Sequence, residues 1–124
     1  EKLTAELSNP NSEFYFALLH EEVIGYLKIN FGDAQTEKQD ATAMEIERIY
    51  VLAAYHGKKL GQLLYDHAIE IAKQHLINYV WLGVWEENTR AIQFYKKNGF
   101  VEFDKHIFQL GDDAQTDIMM RLEL

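Results

Sequence analysis

Residues 44–75, MEIERIYVLAAYHGKKLGQLLYDHAIEIAKQH, carry a strand period, a glycine-punctuated turn and a helical period in immediate succession, and that succession decides the fold. Met44 to Leu52 alternates as a strand, with Glu45, Glu47, Ile49 and Val51 expected on one face and Ile46, Arg48 and Tyr50 on the other. From Gly61 to about His75 the apolar positions Leu64, Ala68, Ile71 and Ala72, supported by Leu60 and Leu63, recur at helical spacing. Between strand and helix lies Tyr55-His56-Gly57-Lys58-Lys59-Leu60-Gly61. At such a junction unpaired N–H groups and the helix dipole attract an anion, and a diphosphate fits there. Gly57 and Gly61 let backbone approach a ligand closely, while Lys58 and Lys59 add positive charge. No GK[ST] follows at P-loop spacing and no GxGxxG is present, so nucleotide hydrolysis and hydride transfer lose their main support.

Upstream, Leu3 and Leu7 followed by Ser8-Asn9-Pro10-Asn11 read as the last turn of a helix and its stop. Phe14 to His20 and Val23 to Phe31 are β-rich runs separated by Glu21-Glu22, a spacing that suits a hairpin. Gly32 to Thr42 is polar, without periodicity, and reads as an exposed loop. Downstream, Tyr79 to Trp85 is almost continuously apolar, as a central strand covered on both sides would be. Asn88 or Thr89 can cap a short helix in which Ala91 and Phe94, or Ile92 and Tyr95, share a face, and Gly99 stops it. Phe100 to Leu110 and Thr116 to Leu124 close the chain as a hairpin around Gly111-Asp112-Asp113. The order β-β-β-α-β-α-β-β predicts an α/β (α+β) domain built on a mixed sheet with helices on its faces.

The 124 residues suit one domain with one core. A formal charge of −8 repels nucleic acid and anionic membrane surfaces, so neither is expected as a partner, whereas cationic acceptors are attracted. The absence of cysteine excludes disulfides, thiolate metal sites and a covalent acetyl-cysteine intermediate, and no metal is expected. No apolar run approaches the roughly 20 residues that span a bilayer, and Glu1-Lys2 leads into no signal-peptide core; the expectation is a cytoplasmic protein. A homodimer is left open.

The strand ERIYVL followed by YHGKKLGQLLYDHAIEIA resembles the acetyl-coenzyme A motif of the GNAT superfamily, written [RQ]xxGx[GA]. His56 stands where Arg or Gln is usual and Lys59 replaces the middle glycine, while Gly61 matches. Backbone amides do the binding in that family, so Lys59 is tolerated on the expectation that its φ stays negative. Residues 88–100, NTRAIQFYKKNGF, match the family's second signature, NxxAxxFYxxxGF, in full. The resemblance implies a mixed, mostly antiparallel sheet with helices on both faces and acetyl-CoA as co-substrate. It also implies cofactor contacts from Ile49, Tyr50, Val51, His56, Gly57, Lys58, Lys59, Leu60, Gly61, Asn88, Tyr95 and Lys97. Asn88 is expected on the pantetheine arm, Lys97 on a phosphate, and Tyr95 near the sulfur, where its phenol can protonate the departing thiolate. Family members begin with a strand and two helices that wall the acceptor site; only a helix end precedes Phe14 here, so the domain spanning 1–124 is read as N-terminally incomplete.

Amide formation needs a neutral amine, and alkyl amines are charged at pH 7, so some group must take a proton. Glu47 is the candidate: pointing with Ile49 and Val51, it is expected to be partly desolvated, with a raised pKa, and to act directly or through water. Backbone groups of Ile49 and Val51 can orient the acetyl and pantetheine amides if the strand splays from its neighbour. His20, His67, His75 and His106 lack a partner motif and read as structural or surface residues. FQLGDDAQTDIMMRLEL and YLKINFGDAQTE are similar to the PaiA-type branch, which implies polyamine acceptors such as spermidine or spermine, with Asp112, Asp113 and Asp117 suited to polycations. The competing readings are a protein or peptide N-terminal acetyltransferase and a non-catalytic acetyl-CoA-binding module.

Overall fold

The computed structural model describes residues 11–37 and 40–124. The N-terminal helix end expected at Leu3–Pro10 lies outside them. Six strands, β1 Ser12–Leu19, β2 Glu22–Phe31, β3 Ala43–Val51, β4 Tyr79–Trp85, β5 Val101–Leu110 and β6 Asp113–Glu123, form one sheet in the order β1-β2-β3-β4-β6-β5. Every neighbouring pair is antiparallel except β3 with β4. Two α-helices, α1 Leu60–Gln74 and α2 Thr89–Lys97, and two short 3-10 turns at Gly32–Ala34 and Ala53–Tyr55 complete the described fold. The expected element order holds throughout, and β4 coincides with its expected bounds.

The core explains these elements. In α1 the buried positions are Leu64, Tyr65, Ala68, Ile71 and Ala72, a stripe at i, i+1, i+4, i+7 and i+8 that packs on Leu27 and Ile29 of β2, Met44 and Ile46 of β3, and Val80 and Leu82 of β4. Ile92 of α2 and Met120 of β6 join the same cluster. Both described helices therefore pack on one face of the sheet, where helices on both faces were expected. The other face carries a smaller buried group, Ala43, Tyr79, Trp81 and Met119, and a row of rings from Phe14, Phe16, Tyr26 and Tyr50.

β3 does not alternate as its sequence suggests. Lys28 pairs with Arg48 and Ile29 with Ile46, so Glu47 is an extra residue in a bulge. The bulge resets the phase: Met44 and Ile46 share the helix-covered core with Ile49 and Val51, and the expected grouping of Glu45 and Glu47 with Ile49 and Val51 is wrong. The apolar set Met44, Ile46, Ile49, Val51 already skips a beat between Ile46 and Ile49, which is the signal in the chain that marks the bulge.

β3 and β4 pair only at Ala43–Glu45 with Tyr79–Trp81. Beyond that point β4 pairs with β6 alone, up to Trp85 opposite Asp117, so the two parallel strands part in a wedge. Leu52 N–H bonds to Ile24 O at 2.9 Å, across to β2. Because the antiparallel ladder alternates, Tyr50 also turns its backbone toward β2, whereas Ile49 and Val51 turn theirs into the wedge.

On the far side of the wedge Gly25 closes tightly on β3: a Cβ there would lie 2.8 Å from the Tyr50 carbonyl oxygen and 3.3 Å from Leu60 Cδ2. The backbone oxygen cannot give way as a side chain can. Gly25→Ala is expected to destabilise the fold by about 1–3 kcal/mol through overpacking; urea denaturation followed by circular dichroism checks it, and an unchanged midpoint would remove the close approach from the account.

Candidate active site

A cavity of about 740 Å³ opens where the wedge meets the start of α1. Its wall is Ile49 and Val51 of β3, Tyr55, His56 and Gly57 of the connecting turn, Lys59, Leu60, Gly61 and Gln62 at the start of α1, and Asn88, Arg90, Ala91, Phe94, Tyr95 and Lys97 around α2. Ten of the twelve expected cofactor residues are thus brought together. Tyr50 and Lys58 are not among them. Tyr50 spends its backbone on Tyr26, and its ring lies tilted against the Tyr26 ring, 5.5 Å between centroids, on the opposite face. Tyr55, Gln62, Arg90, Ala91 and Phe94 line the cavity without having been expected as cofactor contacts. Gln62 is legible only in three dimensions, since its amide bonds Asn98 of the other helix end at 3.1 Å.

The mouth of α1 is shaped for a backbone-bound anion. Gly57 has φ +80°, and a Cβ on either Gly57 or Gly61 would meet nothing within 4 Å, so the space beside both glycines is open. Lys59, the N-cap, has φ 62° and makes no side-chain capping bond. The expectation of a negative φ at Lys59 is therefore wrong: the lysine holds a left-handed conformation that a glycine would adopt without strain. The first N–H groups of α1 still face the cavity with their dipole, which is the chemistry a diphosphate requires. Val51 contributes less than expected, because its carbonyl oxygen accepts from His56 Nε2 at 2.8 Å. A carbonyl only accepts, so this ring nitrogen carries its hydrogen.

On α2, Asn88 Oδ1 accepts from Ala91 N–H at 3.1 Å and caps the helix, which leaves its amide hydrogens to serve a ligand. Tyr95 packs with Tyr65, Phe94 and Phe100, with ring centroids 6.4, 5.3 and 5.5 Å away. Burial, reinforced by the neighbouring Tyr65, pushes its phenol up to about 12, so it holds its proton at any physiological pH.

Glu47 is not in this cavity. It lines a second one, of about 150 Å³ on the opposite face of β3, with Thr36, Glu37, Glu45, Trp81, Gly83, Phe108, Asp117 and Met119. Burial alone would raise its pKa, but hydrogen bonds from Asn30 and Lys28 and the charges of Lys28 and Arg48 outweigh it and hold the carboxyl below the ordinary value of 4.5. The expected upward shift is thus reversed. Lys28 Nζ lies 3.0 Å from Glu47 Oε1.

The loop after β2, expected to be merely exposed, builds this second cavity by bonding to three strands in turn. Trp81 Nε1 donates to Gln35 Oε1 at 2.6 Å, Thr36 N–H donates to Glu45 Oε1 at 2.8 Å, and Glu37 pairs with His106 of β5. The hydrogen bond to Glu37 raises the His106 pKa above its ordinary value, helped by Asp104 and opposed by desolvation. His67 and His75 instead pack edgewise or tilted on Tyr15 and Phe31, at 4.7 and 5.2 Å between ring centroids. Of the three aspartates expected to suit a polycation, Asp117 lines the cavity, while Asp112 and Asp113 are exposed at the β5–β6 turn.

A parted parallel strand pair, the start of a helix and a tyrosine on the facing helix meet in this one cavity. The family model described as the acetyltransferase (GNAT) family matches residues 1–100. An uncharacterised N-acetyltransferase from the pepI 3' region of Lactobacillus delbrueckii subsp. lactis is 42% identical over 124 residues, all of this chain and 72% of the relative. The spermidine N(1)-acetyltransferase of Thermoplasma acidophilum is 32% identical over 104 residues, 81% of this chain and 60% of that one. The crystal structure of the PaiA N-acetyltransferase of Thermoplasma acidophilum in complex with coenzyme A superposes with a TM-score of 0.74 at 26% identity, covering 99% of this chain and 67% of the other. The chain belongs to the GNAT family of acetyltransferases. It is an acetyl-CoA-dependent N-acetyltransferase, and the open glycine cradle and helix mouth fit that co-substrate.

Lys59→Gly is expected to stabilise the protein by ~0.5–1 kcal/mol by removing left-handed strain, and to leave coenzyme A affinity within about threefold, because main-chain amides make the contacts. Thermal denaturation and calorimetric titration check the two halves; a tenfold loss of affinity would mean that the lysine side chain, not the backbone, holds the phosphates.

Proposed function

We propose that the protein transfers the acetyl group of acetyl-CoA to a primary amine of a small polycation such as spermidine or spermine, by direct attack of the amine. The observation that carries this reading is the placement of an acidic cavity, lined by Glu37, Glu45, Glu47 and Asp117, on the face of β3 opposite the cavity suited to the co-substrate. Carboxylates attract an ammonium group, and Trp81 and Phe108 add ring faces that favour cations. The spermidine N(1)-acetyltransferase relative supports the same acceptor class.

In this reading Glu47, already ionised, takes the proton of the attacking amine directly or through water. Ile49 and Val51 offer backbone N–H groups in the wedge to orient the thioester, and Gly57, Lys59, Leu60 and Gly61 hold the diphosphate. Asn88 serves the pantetheine arm and Lys97 a phosphate. Tyr95, with a phenol at about 12, stabilises the departing thiolate by donating a hydrogen bond, since full transfer to a thiolate of much lower basicity runs uphill.

Thiol release from acetyl-CoA, measured with spermidine, spermine, monoamines and short peptides, is expected to respond to the polyamines. A response to peptides alone would favour an N-terminal acetyltransferase, and tight binding without release a non-catalytic module. Tyr95→Phe and Glu47→Gln are each expected to lower kcat by about 10²-fold while leaving coenzyme A affinity unchanged. Full activity in both variants would overturn the assignment.

The pH profile tests Glu47 separately. Its carboxyl is held below 4.5, so it is charged across the assay range and is lost as a base only as pH falls through that lowered value. Between about pH 5 and 9 the logarithm of kcat/KM is expected to rise with acceptor deprotonation alone, the amine titrating near 10.4. An inflection at pH 6–7 that Glu47→Gln abolishes would contradict the lowered value.

A further inference from the structure

Asn30 is fully buried near the end of β2, and its side-chain amide makes three hydrogen bonds. Its Oδ1 accepts from Ser12 Oγ at 2.8 Å, which fixes the orientation of the amide. Its Nδ2 donates to Glu45 Oε1 at 3.0 Å and to Glu47 Oε1 at 2.8 Å, one hydrogen for each carboxylate. A buried amide that bridges two carboxylates of one cavity does more than satisfy itself, because without it two like charges would face each other with no shared donor.

The two oxygens of Glu47 are treated unequally. Oε1 receives Asn30 at 2.8 Å and Lys28 Nζ at 3.0 Å. Oε2 faces Arg48 Nη2 at the longer distance of 3.9 Å, on an exposed side chain. Glu45 differs again: Thr36 N–H and Thr36 Oγ1 also donate to it, so its charge is saturated from the loop side.

We propose that Asn30 is a positioning residue for acetyl transfer, locking Oε1 of Glu47 and thereby presenting Oε2 as the oxygen that takes the acceptor's proton. The inference rests on the reading of Glu47 as the base. Ser12 acts one step further back, by holding the amide the right way round. Chemically the step is a proton moving from the attacking nitrogen to Oε2 as the C–N bond forms and the C–S bond breaks; no further reactant enters.

The test uses the whole protein with Asn30→Asp and, as a milder change, Ser12→Ala. Asn30→Asp replaces the double donor with a third carboxylate, so Glu47 is expected to hold its proton to higher pH. The acid limb of kcat/KM for spermidine should move up into the range between pH 5 and 7, with coenzyme A affinity within twofold of the parent. Ser12→Ala should shift the limb in the same direction by less. Carboxyl ¹³C titration of Glu47 by NMR gives a readout that needs no activity: its midpoint should rise in both variants. Unmoved pH profiles and an unmoved Glu47 midpoint, with only thermal stability reduced, would overturn the proposal and leave Asn30 a purely structural residue. A risen midpoint together with full activity of Glu47→Gln would instead overturn the reading of Glu47 as the base, and the positioning role with it. Should Asn30→Asp fail to fold, Ser12→Ala decides by the same two measurements.

Discussion

β3 and β4 run together for three residue pairs and then part, and the rest of the site depends on the backbone groups that this parting leaves without sheet partners. A buried peptide group must find a hydrogen-bond partner or cost the fold its desolvation energy. Here the Val51 carbonyl is met by His56, and the remaining groups of Ile49 and Val51 face a cavity wide enough for an extended ligand. The same parting places the start of α1 against the open end of the wedge. An amide-bearing ligand and its charged tail are thus offered one continuous wall of main-chain donors. The fold in effect supplies the edge of an unfinished sheet, and the co-substrate of a GNAT enzyme is a molecule suited to finish it.

The bulge at Glu47 divides labour between the faces of β3. Without it, strict alternation would aim Glu45 and Glu47 into the apolar core beside Ile49 and Val51, where unpaired carboxylates are costly. With it, Met44, Ile46, Ile49 and Val51 all pack toward α1, and both carboxylates reach the opposite face. There Asn30, Lys28 and Thr36 supply donors and positive charge, so burial is tolerated without neutralising Glu47. One inserted residue therefore sets both the apolar lining of the larger cavity and the acidity of the smaller one.

The loop from Gly32 shows how a segment without periodicity becomes part of a site. Gln35, Thr36 and Glu37 each bond a different strand, to Trp81, Glu45 and His106. The strands concerned are β4, β3 and β5, which follow one another in the chain but are not all neighbours in the sheet, so the loop ties together parts of the sheet that only the tertiary structure brings near. Polar composition kept it out of the core; the hydrogen bonds it could make depended on where those strands ended up.

What lay in the chain itself was everything carried by local period and local conformation: the order of elements, the helix stripe of Leu64, Ala68, Ile71 and Ala72, the cap at Asn88, and the two motifs that meet in one cavity. These rest on interactions within a few residues, and a few residues of sequence suffice to state them. Register, bulges and the side of the sheet on which a helix packs depend on partners far away in the chain. For that reason the direction of the Glu47 pKa, the left-handed φ of Lys59, the exclusion of Tyr50 and the hydrogen bonds of Asn30 were decided by tertiary structure, while the bulge that turns Glu47 left only a skipped beat in the sequence. A side chain's chemistry is written in the sequence, but its electrostatic surroundings are written by whichever strand pairs with it.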